Sequence, residues 1–186
     1  MMAAFVGTGL GIYNLFVERS KRKVKVLVQP KAVMRRFRNT ATGDEGVLTS
    51  LNEFNQEALD EYFAIEAVNL SSFPVTIHNV GFEVRKQNKR MMIVPPILAD
   101  NGQWPRKLEQ RESVTVYGLL LPIINDPGAP RIKNSFVETS CGTICRGTSG
   151  ALKGLAEYAN ELQLGRRGAY IGGFTTDSVE KDHHSR

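Results

Sequence analysis

A chain of 186 residues, 41% of them hydrophobic and 23% charged, is long enough for one domain with a real core and an appendage at each end, and its composition excludes the disordered, collagen-like and disulfide-dense classes. The net charge of +5 suggests a polyanionic partner until its distribution is read. Nine cations between Glu18 and Arg38 stand against the single acid Glu18, a charge of +8, which leaves −3 on the remainder and confines the basicity to one short segment.

The stretch before that segment accounts for it. Met1 to Val17 carries no charge, contains Gly7, Gly9 and Gly11, and places Tyr13 and Phe16 next to the basic run. A bilayer span needs roughly 20 apolar residues, with about 17 as the lower limit, so the stretch is a borderline span. A secretory signal has its charge before the apolar region, whereas here Arg19, Lys21, Arg22, Lys23 and Lys25 come after it. Under the positive-inside rule these five form a membrane-flanking basic set that keeps everything after them in the cytoplasm. The expectation is a membrane anchor over residues 1–22. The alternative is a soluble helix packed on the domain, although Phe5, Ile12, Leu15 and Phe16 surround the helix rather than forming one face. Met2 in place of glycine excludes myristoylation, and G-T-G-L-G lacks both the spacing and the preceding strand of a dinucleotide fingerprint.

The folded part is expected over residues 23–147. K-V-K-V-L-V-Q at Lys23 to Gln29 alternates as a first strand closed by Pro30. Ala41 to Gly46 reads as a loop, and Ser50 with Glu53 has capping-box spacing for one or two helical turns before Ala58. Tyr62 to Val84 holds the strongest signal, two alternating strands around a polar break. Phe63, Ile65 and Ala67 share one face, as do Val75 and Ile77, and then Val80, Phe82 and Val84 after a one-residue phase change. Arg85 to Arg90 is a charged hairpin tip, Met91 to Val94 the returning strand, and Pro95-Pro96 its end.

Leu108 to Leu121 supplies a further strand, Pro122 to Pro130 a loop, and Lys133 to Gly147 a hairpin turning on Cys141-Gly142. Seven strands predict an antiparallel immunoglobulin-like sandwich, mainly β, with Phe63, Ile65, Val75, Ile77, Phe82, Val114, Val116, Phe136 and Ile144 in its core. The period then changes. Leu152, Leu155, Ala159 and Leu162 give an amphipathic helix over 148–165, capped by Thr148 or Ser149 and stopped at Gly165, with a loose tail over 166–186.

V-N-L-S-S-F-P-V-T-I-H-N-V-G-F at Val68 to Phe82, then L-E-Q-R-E-S-V-T-V-Y, then F-V-E-T-S-C-G-T-I-C-R, resembles a pattern in uncharacterised bacterial and phage proteins that carry an N-terminal membrane helix and an immunoglobulin-like sandwich. The resemblance covers roughly Lys23 to Gly147 and implies architecture without an activity. This chain departs from it in its cysteine turn, in a longer segment between the first two strands and in its short anchor.

Chemistry-bearing residues are few. Cys141 and Cys145 lack metal-site spacing and read as reduced structural thiols rather than a bridge. His78 reads as a surface residue, and His183 and His184 fall in the tail. No catalytic, cofactor-binding or metal-ligating residue is assigned and no cofactor is implied. The expected function is a membrane-anchored, non-enzymatic binding or scaffolding module, with membrane lipid and an unidentified protein as partners. The alternative is an enzyme assembling Glu53, Glu66, His78 or Asp100 across loops. Nucleic-acid binding is a third reading, resting on Arg85, Lys86, Lys89 and Arg90 with Arg106, Lys107 and Arg111, and is disfavoured because the body of the chain is acidic.

Overall fold

The computed structural model describes residues 23–39, 41–58, 60–85 and 89–172. The apolar segment, Arg19, Lys21, Arg22, the paired histidines and the end of the chain lie outside the described residues. Among the described residues ten strands and two α-helices succeed one another in the order β1 (Val26–Arg38), β2 (Glu45–Ser50), β3 (Tyr62–Asn69), β4 (Val75–Val84), β5 (Arg90–Met92), β6 (Ile97–Leu98), β7 (Arg106–Leu108), β8 (Ser113–Leu119), α1 (Leu120–Asn125), β9 (Ile132–Thr139), β10 (Ile144–Gly147) and α2 (Gly150–Gly172). Short 3-10 turns occupy Gln56–Ala58 and Ala129–Arg131. Every strand pair is antiparallel.

One sheet has the order β2-β1-β3-β8-β6 and the other β10-β9-β4-β5, with β7 also pairing β4. The mainly β, antiparallel reading with a C-terminal helix therefore stands, and the count of seven strands is corrected to ten. The additional strands are β2, β6 and β7. Two of them have only two or three residues, too few to show a period, and β2 is exposed on both faces and so has no apolar phase.

Alternation sets the core where a strand is half buried. Phe63, Ile65 and Ala67 of β3 are fully buried, and so are Ile77 and Phe82 of β4, each phenylalanine or isoleucine side chain contributing roughly 1.5–3 kcal/mol by leaving water. The rings of Phe63 and Phe82 meet edge to face across the two sheets at 5.9 Å. The phase change in β4 has a structural cause. Ile77 pairs with Thr139 and Asn79 with Glu138, so His78 is one extra residue, a β-bulge that returns Val80, Phe82 and Val84 to the inner face. Of the nine expected core residues Ile144 is only half-buried, at the start of the edge strand β10, and Phe136 is buried on the outer face beneath Arg90, Val137 taking the inward position in its place.

Other expectations need correction. β1 does not stop at Pro30 but runs through it, because that half of the strand pairs with β3 alone and a missing N–H on the free side breaks no ladder. The loop expected at Pro122 to Pro130 begins as α1, whose Pro122 sits in the first turn, where no intrahelical N–H is needed, and whose Leu120, Ile123 and Ile124 are buried. In α2 the Ser149 hydroxyl accepts a bond from the Leu152 N–H at 3.1 Å, a true N-cap, but the helix continues to Gly172 rather than ending at Gly165. Gly165 does not adopt the positive φ with which a glycine terminates a helix. Ala151, Leu152, Leu155 and Ala159 bury against β1, β9 and α1, closing one flank of the sandwich. Among the described residues the flank between β5 and β6 has no such cover.

Candidate functional site

The open flank is built by a strand change. After β5 the chain crosses from one sheet to the other through Ile93, Val94, Pro95 and Pro96, and the two prolines prevent a longer β5. The Ile93 N–H still bonds the Val80 carbonyl at 3.0 Å, so its side chain turns inward. There it meets Gly118, where an added Cβ would lie 3.1 Å from Ile93 and 3.2 Å from Ile123. A glycine at this place keeps the floor low. The result is a groove of about 370 Å³, floored by Phe82, Ile93 and Ile123 and walled by Met92, Val94, Ile97 and Leu119. Its volume is that of a small-ligand pocket, about 300–1,000 Å³. Val94 is 80% exposed and Leu119 47%, so the walls offer apolar surface to solvent rather than to the core.

The strand edges beside the groove are also open. β5 pairs only with β4 and β6 only with β8, which leaves one backbone edge of each without a strand partner among the described residues. At three and two residues these edges are short, which limits uncontrolled sheet growth and suits a single added segment.

A second hollow, of about 410 Å³, adjoins the first and shares Lys89 and Arg90 with it. Its centre is Glu83, which accepts two bonds from Arg146, Nε at 2.7 Å and Nη2 at 2.9 Å, with Arg90 Nε at 3.7 Å. The Arg146 hydrogen bond holds the Glu83 carboxyl below its ordinary range; the charge of Arg146, the Asn134 side chain and the charge of Arg90 act in the same direction, against desolvation. Arg90 also lies over the Phe136 ring at 5.2 Å. Arg85 and Lys133 are exposed at the margin, and Lys89 reaches Asp126 at 3.4 Å.

The residues singled out from sequence are not brought together. Glu66 pairs with Lys31 at 2.8 Å, Asp100 with Arg106 at 2.9 Å, Glu53 donates its backbone N–H to the Ser50 hydroxyl, and His78 lends its backbone carbonyl to Trp104 Nε1 at 3.1 Å. No group of three or more histidine, cysteine or acidic side chains is placed to hold a metal among the described residues. The two halves of the possible nucleic-acid face separate as well. Arg106 and Lys107 pair with the Val75 end of β4, Arg85 comes after the Val84 end, and Lys86 lies outside the described residues.

Cys141 and Cys145 are free thiols. Cys141 sits in the turn before Gly142, whose φ of 77° suits glycine. Hydrogen bonds from the Thr139 and Thr143 hydroxyls, with backbone bonds behind them, lower the Cys141 thiol to about 7. No charged group contributes to that shift.

Of the basic flank, Lys23 and Lys25 are described, and both are exposed. The Lys25 N–H donates to the Ser71 hydroxyl at 2.8 Å and its carbonyl accepts from Leu70 N–H at 2.8 Å. The chain therefore enters the sandwich beside Asn69, the end of β3 remote from the groove, since Leu119 pairs with Tyr62 at the other end. No helix among the described residues is long and apolar enough to cross a membrane. Sequence reading missed the groove. Its signal was Met91 to Leu98, eight residues without a single polar side chain beside a charged hairpin, too apolar for a solvent-facing edge. No family model matches the chain, and no curated protein or solved structure is similar to it.

Proposed function

We propose that this protein is a non-enzymatic binding module with an immunoglobulin-like sandwich, held at the cytoplasmic face of a membrane by the segment before Lys23 and receiving a protein partner in the groove between β5 and β6. The observation that carries the reading is the groove itself, an exposed apolar channel between two strand edges that have no strand partner among the described residues. The immunoglobulin-like part is supported by strand order. β1-β3-β8-β6 matches the order A-B-E-D and β10-β9-β4-β5 the order G-F-C-C′, with β2 and β7 as additions. Anchoring is supported by an uncharged stretch with five cations directly after it, and by the fixed position of Lys25 at the end of the sandwich away from the groove. Such a module presents its receptor surface outward from the membrane. The enzyme reading has less support, because the Glu66 and Asp100 carboxylates pair with different cations and Glu53 and His78 stand on separate elements.

A photoreactive side chain placed at Val94 in the full-length protein tests the assignment in intact cells. Discrete adducts in the membrane fraction are expected from Val94, and none from the same group at Lys153, which is exposed on α2 away from the groove. Equal labelling from both positions, or none from Val94, would contradict it.

A further inference from the structure

Resting on that reading, we infer that the occupant of the groove is an extended peptide segment that begins with acidic residues and continues with apolar side chains at every second position. The groove and the cation-lined hollow flank the same edge strand and share Lys89 and Arg90, where β5 begins. At one end Arg85, Lys89, Arg90, Lys133 and Arg146 meet two carboxylates among the described residues, Glu83 and Asp126. At the other end Met92, Val94, Ile97 and Leu119 supply apolar walls. A ligand complementary to both ends carries negative charge first and apolar surface after it.

The strand edges select its backbone. An extended segment laid along β5 gains main-chain hydrogen bonds from an edge that has no strand partner, and its side chains then alternate between groove and solvent. Arg90 and Arg146 are already oriented by Glu83, so the guanidinium groups are positioned before the ligand arrives.

An anionic lipid has the same two chemical halves, but it is in the wrong place. Lys25 enters at the Asn69 end of β3, and the groove lies toward Tyr62, seven residue steps or about 24 Å along the strand. The attraction of a charged bilayer decays within a Debye length of about 8 Å at physiological salt. The apolar half of the groove, at the Leu119 end, therefore stands outside the field of the membrane that the basic flank meets.

The test is fluorescence anisotropy with the full-length protein in detergent micelles and three labelled nine-residue peptides. One carries three acidic residues and then alternating valine and threonine; in the others three serines or three lysines replace the acids. The acidic peptide is expected to bind about tenfold more tightly than the serine peptide, the sum of two or three exposed charge contacts, and the lysine peptide to bind most weakly. Lys133→Glu combined with Arg85→Glu should bring the acidic peptide down to the serine level, while Lys153→Glu leaves it unchanged. Met92→Asp should abolish binding of both. These positions are exposed, and circular dichroism verifies folding of each variant. Equal affinity for the acidic and serine peptides overturns the acidic preference and leaves the groove reading intact. Failure of all three peptides overturns both. Displacement of the acidic peptide by phosphatidylserine vesicles or by a single-stranded oligonucleotide, through Lys133 and Arg85, assigns the cluster to that ligand instead and overturns the inference.

Discussion

Phe82→Ala should destabilise the protein by about 3–5 kcal/mol, the range for removing a buried aromatic ring from a core that relaxes only partly. Phe82 is 1% exposed and stands where the sheets meet, its ring edge to face with Phe63 at 5.9 Å. It also floors the groove, so its loss opens a cavity continuous with solvent and admits water beneath Ile93. Urea unfolding should show a lower midpoint with an unchanged slope. A change below about 1 kcal/mol would mean that Phe82 does not occupy the inward phase that the His78 bulge restores, and the register of β4 would be wrong.

Asn69→Leu should cost about 3 kcal/mol even though leucine has the same branched heavy-atom skeleton. Asn69 is fully buried, and its side-chain amide donates to the carbonyls of Phe73, Leu108 and Glu109 at 2.9, 3.1 and 3.2 Å, while its oxygen accepts from the Ser71 N–H at 2.9 Å. Its backbone is paired as well, the N–H with the Glu112 carbonyl and the carbonyl with the Arg111 N–H. One side chain thus ties the β3–β4 connection to the turn between β7 and β8. A leucine leaves those groups unpartnered at about 1–3 kcal/mol for each one that water cannot reach. Because Ser71 in turn holds Lys25, the substitution should also loosen the point at which the N-terminal segment joins the domain. Amide exchange at Lys25 and Leu70 should accelerate in the variant. A variant as stable as the parent, with exchange at both positions unchanged, would show that the network is not what fixes that end.

The half-buried strands were legible in the sequence and the exposed or short ones were not. β3 and β4 alternate because one face of each meets the other sheet, and the phase change at His78 was readable as a phase change before its cause was visible as a bulge. β2 has no buried phase, β6 and β7 are too short to repeat a period, and α1 hides behind a proline that the first turn of a helix tolerates. Gly165 misled for a related reason, since glycine ends a helix only where the backbone takes a positive φ, and the surrounding chain decides that as much as the glycine does. The groove was legible only as an anomaly, an apolar run beside a charged hairpin. Its shape comes from bringing the far ends of two sheets together, with Gly118 of β8 beneath Ile93 of the crossing segment, and no local pattern encodes that meeting. The pairing of Glu83 with Arg146 spans 63 positions and is set by sheet order alone.

A receptor groove held outward from a membrane by the chain's own N-terminal segment is the central claim, and extraction tests it most directly. Full-length protein should sediment with membranes and stay there through concentrated salt and alkaline carbonate, while the chain beginning at Lys23 should remain in the soluble fraction with the same circular dichroism. Basic residues at a lipid surface contribute about 1 kcal/mol each and are screened by salt, so they do not give salt-resistant attachment by themselves. Release of the full-length protein by salt would reduce the segment to a peripheral contact, and its recovery as a soluble protein without extraction would contradict the account.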